Sequence, residues 1–169
     1  MSYFKPIEKL KADANKKDRK STEKVIARMQ QQQQMEEDAK RRRKEVIDAV
    51  KNLKGKYQEM LELAHSEKDT IRYSYAVIVL SMIDTVDMIS EKMPLDEIEA
   101  AVPKSIPTDI DLTEAERIAA VCPRFGGHSY ISIPIHDDVK LKNYTVCDLA
   151  GRLQLWLKDS TCGKVDLFK

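Results

Sequence analysis

A heptad pattern between residues 46 and 64 constrains the fold of this chain more than any other feature. Its members are apolar or aromatic and alternate at spacings of four and three: Val46, Val50, Leu53, Tyr57, Met60 and Ala64. This spacing places them on one narrow side of an α-helix. A helix with so narrow an apolar stripe is not stable alone in water, so the stripe needs a partner. The partner is either another copy of the chain or residues 70–92, folding back as an antiparallel hairpin.

The helix that carries this pattern is predicted to be long. From Ile7 to about Glu67 the chain has no proline and a single glycine, and it is rich in Lys, Glu, Gln, Arg and Ala. These residue types are strong helix formers. Before Val25, the polar run 13–21 indicates a helix end or a loop, with Ser21 or Thr22 as N-cap. The predicted oligomer seam consists of Val46, Val50, Leu53, Tyr57 and Met60.

A second helix, over residues 69–93, is predicted to form the core. The stretch 76–80 is apolar on every side of a helix, which is typical of a buried element. Its β-branched residues make a buried strand the rival interpretation, but the apolar pattern continues at helical spacing to Ile89. Asp84 and Asp87 fit the polar side of this helix, facing solvent or pairing with Arg72 or Lys92, better than they fit a metal-binding or acid–base pair.

The carboxy-terminal part is punctuated by proline and is predicted to be mixed in structure. A short helix over 96–102 leads into an acidic linker, and the next helix begins with Thr113 as N-cap and Glu116 as its capping-box partner. Residues 129–135 alternate like a strand, and Pro134 makes it an edge strand. Residues 146–157 then form an amphipathic helix.

The predicted fold class is mainly α. It comprises a long N-terminal heptad helix, a central helical core, and a small C-terminal α+β cap with one or two short strands. The predicted segments are a basic helical arm over 1–67, a core helix and short helix over 68–102, a Pro-rich acidic linker over 103–112, and the cap over 113–169.

The net charge of +1 hides a strong asymmetry along the chain. Residues 1–60 hold 17 Lys and Arg against 10 Asp and Glu, whereas residues 61–169 hold 12 against 18. A basic arm of this kind suits a polyanion or the acidic part of another protein. The predicted nucleic-acid contacts are the basic residues of two runs: Lys16, Lys17, Arg19, Lys20, Arg41, Arg42 and Lys44.

Cysteine and histidine offer no recognisable site. Cys122, His128, His136, Cys147 and Cys162 are irregularly spaced and lack the close pairs typical of zinc ligands. No phosphate-binding Gly-rich loop or nucleophile elbow is present in the sequence. We therefore expect no metal, no cofactor and no enzymatic activity.

Residues 124–134, which read Arg-Phe-Gly-Gly-His-Ser-Tyr-Ile-Ser-Ile-Pro, resemble the helix, Gly-Gly turn and Tyr-Ile-Pro strand of Mor-type phage transcription activators. In that family the strand helps to form a dimer, and a helix-turn-helix follows. The resemblance implies a phage or mobile-element origin. The DNA-reading role is not carried over, because residues 143–159 read as one amphipathic helix.

The sequence thus favours a non-enzymatic, oligomeric coiled-coil protein that binds nucleic acid non-specifically through its basic arm. The alternative is a structural, assembly or inhibitor protein that grips a protein partner. The first residues lack the apolar core of a secretory signal. No apolar stretch approaches the roughly 20 residues that span a bilayer. We expect an intracellular protein with reduced cysteines and no membrane partner.

Overall fold

A computed structural model of the chain describes residues 7–89, 91–131, 133 and 135–168, with side chains from residue 15 onward. Five α-helices and one 3₁₀ helix lie within these residues. In chain order they are α1 Ile7–Glu67, α2 Thr70–Ile89, α3 Leu95–Ala101, α4 Leu112–Val121, the 3₁₀ helix Cys122–Phe125 and α5 Val146–Lys158. The mainly α class and the long N-terminal helix are confirmed.

The chain divides into two compact units, which we call the arm (residues 1–44) and the body (residues 45–169). The body has one hydrophobic core, to which the last part of α1 and all the later helices contribute. The predicted boundaries after residues 67, 102 and 112 therefore fall inside the body.

Helix α1 is continuous through the polar run at residues 13–21, so the predicted N-cap at Ser21 or Thr22 is wrong. The Thr22 hydroxyl instead donates a hydrogen bond to the Asp18 carbonyl oxygen, 2.8 Å away and one turn back. Lys, Arg and Ala in this run favour the helix, and the threonine forms its hydrogen bond without ending it.

The heptad seam faces the chain's own core. Tyr57 and Ala64 are fully buried, and Val50 is 7% exposed. Lys54 Nζ lies 2.6 Å from Asp84 and Lys51 Nζ lies 2.7 Å from Asp87, which sets the end of α1 antiparallel to α2. Of the two partners that the stripe allowed, the hairpin is seen in this single chain.

These two ion pairs also correct the partners predicted for the α2 carboxylates. Asp84 and Asp87 pair with Lys54 and Lys51, and not with Arg72 or Lys92. Arg72 lies near Asp69 instead, at 3.7 Å. The sequence-based expectation considered cations close in sequence on the same helix, whereas the hairpin supplies them from α1.

Helix α2 is the centre of the body, as predicted. Every residue from Tyr73 to Leu80 is buried. The Asp69 carboxylate accepts a hydrogen bond from the Arg72 backbone N–H at 3.2 Å, which stabilises the helix start. A tight turn precedes it, in which Lys68 has a φ of 53° and the Asp69 N–H bonds to the Ala64 carbonyl oxygen.

A polar network joins the three helices α2, α3 and α4. The Tyr75 hydroxyl donates to the Glu114 carboxylate, which also accepts two hydrogen bonds from Arg117, at 2.7 and 2.8 Å. Arg117 Nη1 donates to the carbonyl oxygens of Ala100 and Ala101, at 3.0 and 2.9 Å, at the end of α3. These carbonyls have no partner within their own helix, so the guanidinium satisfies them.

The C-terminal α+β cap is not confirmed. Among the described residues, the predicted strand 129–135 is reduced to one isolated antiparallel bridge between Tyr130 and Thr145. Ser132 and Pro134, and with them the edge-strand prediction, lie outside the described residues. Residue 145 already caps α5, so the pairing cannot continue into that helix. Residues 146–158 form one helix, as predicted for residues 146–157.

Side chains next to the first turn cap the starts of α4 and α5. Thr113 is not the N-cap of α4, because Asp111 precedes it and accepts a hydrogen bond from the Glu114 N–H at 2.8 Å. The capping box occurs instead at α5, where Thr145 and Asp148 bond to each other's backbone N–H. Trp156 of α5 is 5% exposed and belongs to the core of the body.

Candidate nucleic-acid interface

All seven predicted basic contact residues lie on α1 within the arm, and all are exposed. The arm holds 14 Lys and Arg against seven Asp and Glu, and the body holds 15 against 21. The whole excess of +7 found over residues 1–60 is therefore carried by residues 1–44. The arm is therefore the part of the chain whose charge best suits a polyanion.

The first half of the described arm carries a row of cations at spacings of four. Lys16, Lys20, Lys24 and Arg28 follow one another by about one turn each, and all are exposed. We call them the basic ridge. Twelve residues of helix separate its ends, which is about 18 Å at 1.5 Å per residue. None of the four forms an ion pair with any side chain from residue 15 onward.

Two members of the ridge, Lys24 and Arg28, were not among the predicted contacts. The prediction grouped residues that are adjacent in sequence, as in Lys16-Lys17 and Lys40 to Lys44. Adjacent residues point to different sides of a helix, whereas residues four apart share one side. The spacing of four was therefore the signal in the sequence that would have found them.

Another side of the same helix is apolar. Val25, Ile26 and Met29, which we call the apolar stripe, are 52%, 49% and 58% exposed. Helical spacing sets Met29 across the helix from Lys20 and Lys24. The arm between residues 16 and 29 is therefore amphipathic, with cations and apolar groups on different sides and neither covered by the arm itself.

The second basic run is more nearly neutralised. Arg41 Nη2 lies 2.8 Å from the Asp38 carboxylate. Arg42 and Arg43 also take part in interactions with other groups, and Arg43 is half-buried. These residues are consecutive and wrap around the helix, so they form no row. Of the two predicted runs, the first presents the less compensated charge.

Three of the five predicted seam residues line one cavity of the body. Val46, Val50 and Leu53 of α1 border an apolar cavity of about 230 Å³. Met60 is half-buried and lines another cavity. Val50 and Tyr57 are covered by the chain itself. Oligomer formation through the seam stays a prediction.

Two histidines meet in the body. The rings of His65 and His136 stack with centroids 3.6 Å apart. His65 Nε2 lies 2.7 Å from the Asp138 carboxylate, and His136 Nε2 lies 3.3 Å from Glu62. The hydrogen bond from His65 lowers the pKa of Asp138 below its usual range. His65 was not singled out in the sequence, since no local pattern links residue 65 to residue 136.

The cysteines do not assemble with the histidines. Cys122 and Cys147 lie together, with their sulfur atoms 3.7 Å apart. Cys162 faces the carbonyl oxygens of Trp156 and Asp159 instead. In the described part of the chain, no three His, Cys, Asp or Glu side chains are grouped so that they could hold a metal ion.

Comparison of the chain with protein families, with curated proteins and with solved structures finds no match. Within the described residues, none of the helices combines the length and the apolar character needed to cross a membrane.

Proposed function

We propose that this protein is a non-enzymatic binding protein whose arm contacts nucleic acid through the sugar–phosphate backbone, with the basic ridge as the main contact surface. The observation that carries the proposal is the row of four exposed cations, Lys16, Lys20, Lys24 and Arg28, without acidic partners among the described side chains. Cations of this kind displace counterions from a phosphate backbone, which is the main source of non-specific affinity.

The arm is suited to phosphates and not to bases. Residues 15–44 contain no aromatic residue, so they provide no platform on which a base could stack. Lysine acts as a flexible point charge and does not match a base edge in the way a bidentate arginine does. Binding through the ridge is therefore expected to be independent of sequence and strongly dependent on salt.

The proposal predicts a large loss of affinity when the ridge is neutralised. Substituting Lys16, Lys20, Lys24 and Arg28 by Gln keeps good helix formers but removes four charges. We expect the affinity for a short duplex DNA at low salt to fall by about 100-fold or more. Fluorescence anisotropy with a labelled duplex measures the change.

The matched control removes four exposed cations from the body instead: Lys140→Gln, Lys142→Gln, Lys158→Gln and Lys164→Gln. It has the same net charge as the ridge variant, so a pure net-charge effect would weaken both equally. Equal losses in the two variants, or no binding by the wild type, would contradict the role of the ridge.

A second candidate function rests on the apolar stripe. We infer that Val25, Ile26 and Met29 join the arms of two copies, since about half of each side chain is exposed and apolar stripes at helical spacing commonly pair helices. This agrees with the alternative of an assembly or partner-gripping protein. Because the stripe and the ridge occupy different sides of the helix, the two functions can be tested separately.

Replacement of the stripe by Val25→Gln, Ile26→Gln and Met29→Gln is expected to convert a dimer of the wild type into a monomer. Light scattering at micromolar concentration measures the mass. Met88→Gln is the control, because Met88 is 84% exposed on the body. A monomeric wild type, or a dimer that survives the triple substitution, would rule out pairing through the stripe.

A further inference from the structure

Two thiols of the body are held against each other from distant parts of the sequence. Cys122 begins the 3₁₀ helix and is buried, and Cys147 is the second residue of α5 and is half-buried. Their Sγ atoms are 3.7 Å apart. Most buried cysteines act as small apolar groups, so contact alone does not distinguish packing from chemistry.

The backbone between them is arranged around the pair. The Gly127 N–H donates to the Cys122 carbonyl oxygen at 3.1 Å, and the Cys147 N–H donates to the Gly127 carbonyl oxygen at 2.6 Å. Gly127 therefore ties the two cysteine backbones together. This arrangement limits how far the two sulfur atoms can separate while the turn and α5 remain folded.

Gly127 also provides the space in which the sulfur atoms meet. A Cβ atom at this position would lie 2.6 Å from Cys122 Sγ and 2.7 Å from Cys147 Sγ. Such distances are far inside ordinary contact, so the position requires glycine while both thiols stay where they are. The opening above Gly127 is thus matched to the two sulfur atoms.

We propose that Cys122 and Cys147 form a modification site, at which a peroxide oxidises the pair to a reversible intramolecular disulfide. The bond length of a disulfide is about 2.05 Å, so the sulfur atoms must approach by less than 2 Å. The site lies in the body and is independent of the function proposed for the arm.

The chemistry balances with hydrogen peroxide as the two-electron oxidant. The more accessible Cys147 thiol loses its proton, and its sulfur attacks one peroxide oxygen. The O–O bond breaks, the released hydroxide takes up the proton as water, and a sulfenic acid remains on Cys147. The Cys122 sulfur then attacks the Cys147 sulfur, its proton leaves with the hydroxyl group as a second water, and the S–S bond forms. Burial raises the pKa of Cys122 to about 12, so this thiol is protonated and less exposed to direct oxidation. The short distance between Cys122 Sγ and Cys147 Sγ favours the second step, although the Cys122 thiol is protonated.

The disulfide would close a ring around a segment with little regular structure. Between Phe125 and Val146, the described residues contain turns and one isolated bridge but no helix or strand. Joining the two ends would restrain this segment in both the folded and the unfolded chain. Oxidation therefore restrains the segment between the 3₁₀ helix and α5, which is not part of a helix.

The test treats the reduced full-length protein with a small excess of hydrogen peroxide, then labels the remaining thiols under denaturing conditions and measures the intact mass. We expect labelled thiols to fall from three to one, with a loss of about 2 Da from the unlabelled chain and full recovery after dithiothreitol. Peptide mapping should join Cys122 to Cys147. Cys162→Ser is the matched variant and should form the same bond.

Cys122→Ser and Cys147→Ser should each abolish the loss of two hydrogens. Peptides joined through Cys162, or oxidation of Cys147 to sulfinic acid in the wild type without any cross-link, would overturn the proposal. Mapping of the wild type decides the question even if a serine variant fails to fold.

Discussion

Replacing Arg117 by Met is expected to lower the free energy of unfolding by about 2–4 kcal/mol, discounted from the larger values of fully buried pairs. The Glu114 side chain is only 23% exposed and accepts two hydrogen bonds from Arg117. Without the guanidinium, Glu114 keeps a partly buried negative charge with only the Tyr75 hydroxyl beside it. The carbonyl oxygens of Ala100 and Ala101 also lose their donor. Urea unfolding followed by circular dichroism measures the change.

The matched control is Arg124→Met. Arg124 lies 3.8 Å from Glu97, and its side chain is 64% exposed. Exposed pairs of this kind contribute up to about 1 kcal/mol. The double variant Arg117→Met with Glu114→Gln should recover part of the lost stability, because no charge is left buried. Similar effects of Arg117→Met and Arg124→Met would contradict the structural role of the network.

The same network gives a signed pH dependence. The hydrogen bonds from Arg117 hold the pKa of Glu114 below its usual range. A carboxyl group whose pKa is lower in the folded chain stabilises it above the pKa of the unfolded state, and this contribution is lost as the pH falls through the folded pKa. The difference in the free energy of unfolding between the wild type and Arg117→Met should therefore be largest at pH 7. It should decrease as the pH falls through the folded-state pKa of Glu114.

Replacing Tyr57 by Ala is expected to destabilise the body by about 3–5 kcal/mol, the range for a buried aromatic side chain. Tyr57 is fully buried, its ring lies 6.4 Å from that of Tyr75, and its hydroxyl donates to the Ser105 carbonyl oxygen at 3.2 Å. Removing the ring leaves a cavity where α1 meets α2. Chemical unfolding at two protein concentrations measures the effect.

Two controls separate the contributions of this residue. Tyr57→Phe removes only the hydroxyl and should cost about 1 kcal/mol. Tyr130→Ala should have little effect, because Tyr130 is 76% exposed. If Tyr57 instead packed between two copies of the chain, the loss in Tyr57→Ala would depend on protein concentration. Such a dependence would contradict the intramolecular hairpin.

The helices could be predicted from the spacing of apolar residues in the sequence. The spacing of the apolar residues from Val46 to Ala64 and the all-round apolar stretch 76–80 depend only on the geometry of a helix, and both were correctly interpreted. The partner of the first stripe was left open, since an apolar stripe is equally satisfied by a second chain or by α2. Only the pairing of Lys51 with Asp87 and of Lys54 with Asp84 distinguishes them.

Errors arose where several local signals competed. Asp111 and Thr113 are both good N-cap residues, and the choice depends on where the preceding linker lets the helix begin. The alternation at 129–135 led to the predicted strand, and it coincides with a buried Ile133 and an exposed Tyr130. A strand also needs a partner of matching length, and alternation does not reveal one. The contacts of Cys122 with Cys147 and of His65 with His136 join distant residues and had no signal in the sequence.

If the arm neutralises phosphates through the basic ridge, duplex DNA binding must depend steeply on salt. For B-DNA the slope of log Kobs against log salt is about −0.9 per phosphate contact. We expect a steep slope for the wild type, which becomes shallower by about 3–4 in the four-Gln ridge variant and is unchanged in the matched body variant. A shallow wild-type slope, or equal slopes in the wild type and the ridge variant, would contradict this role of the ridge.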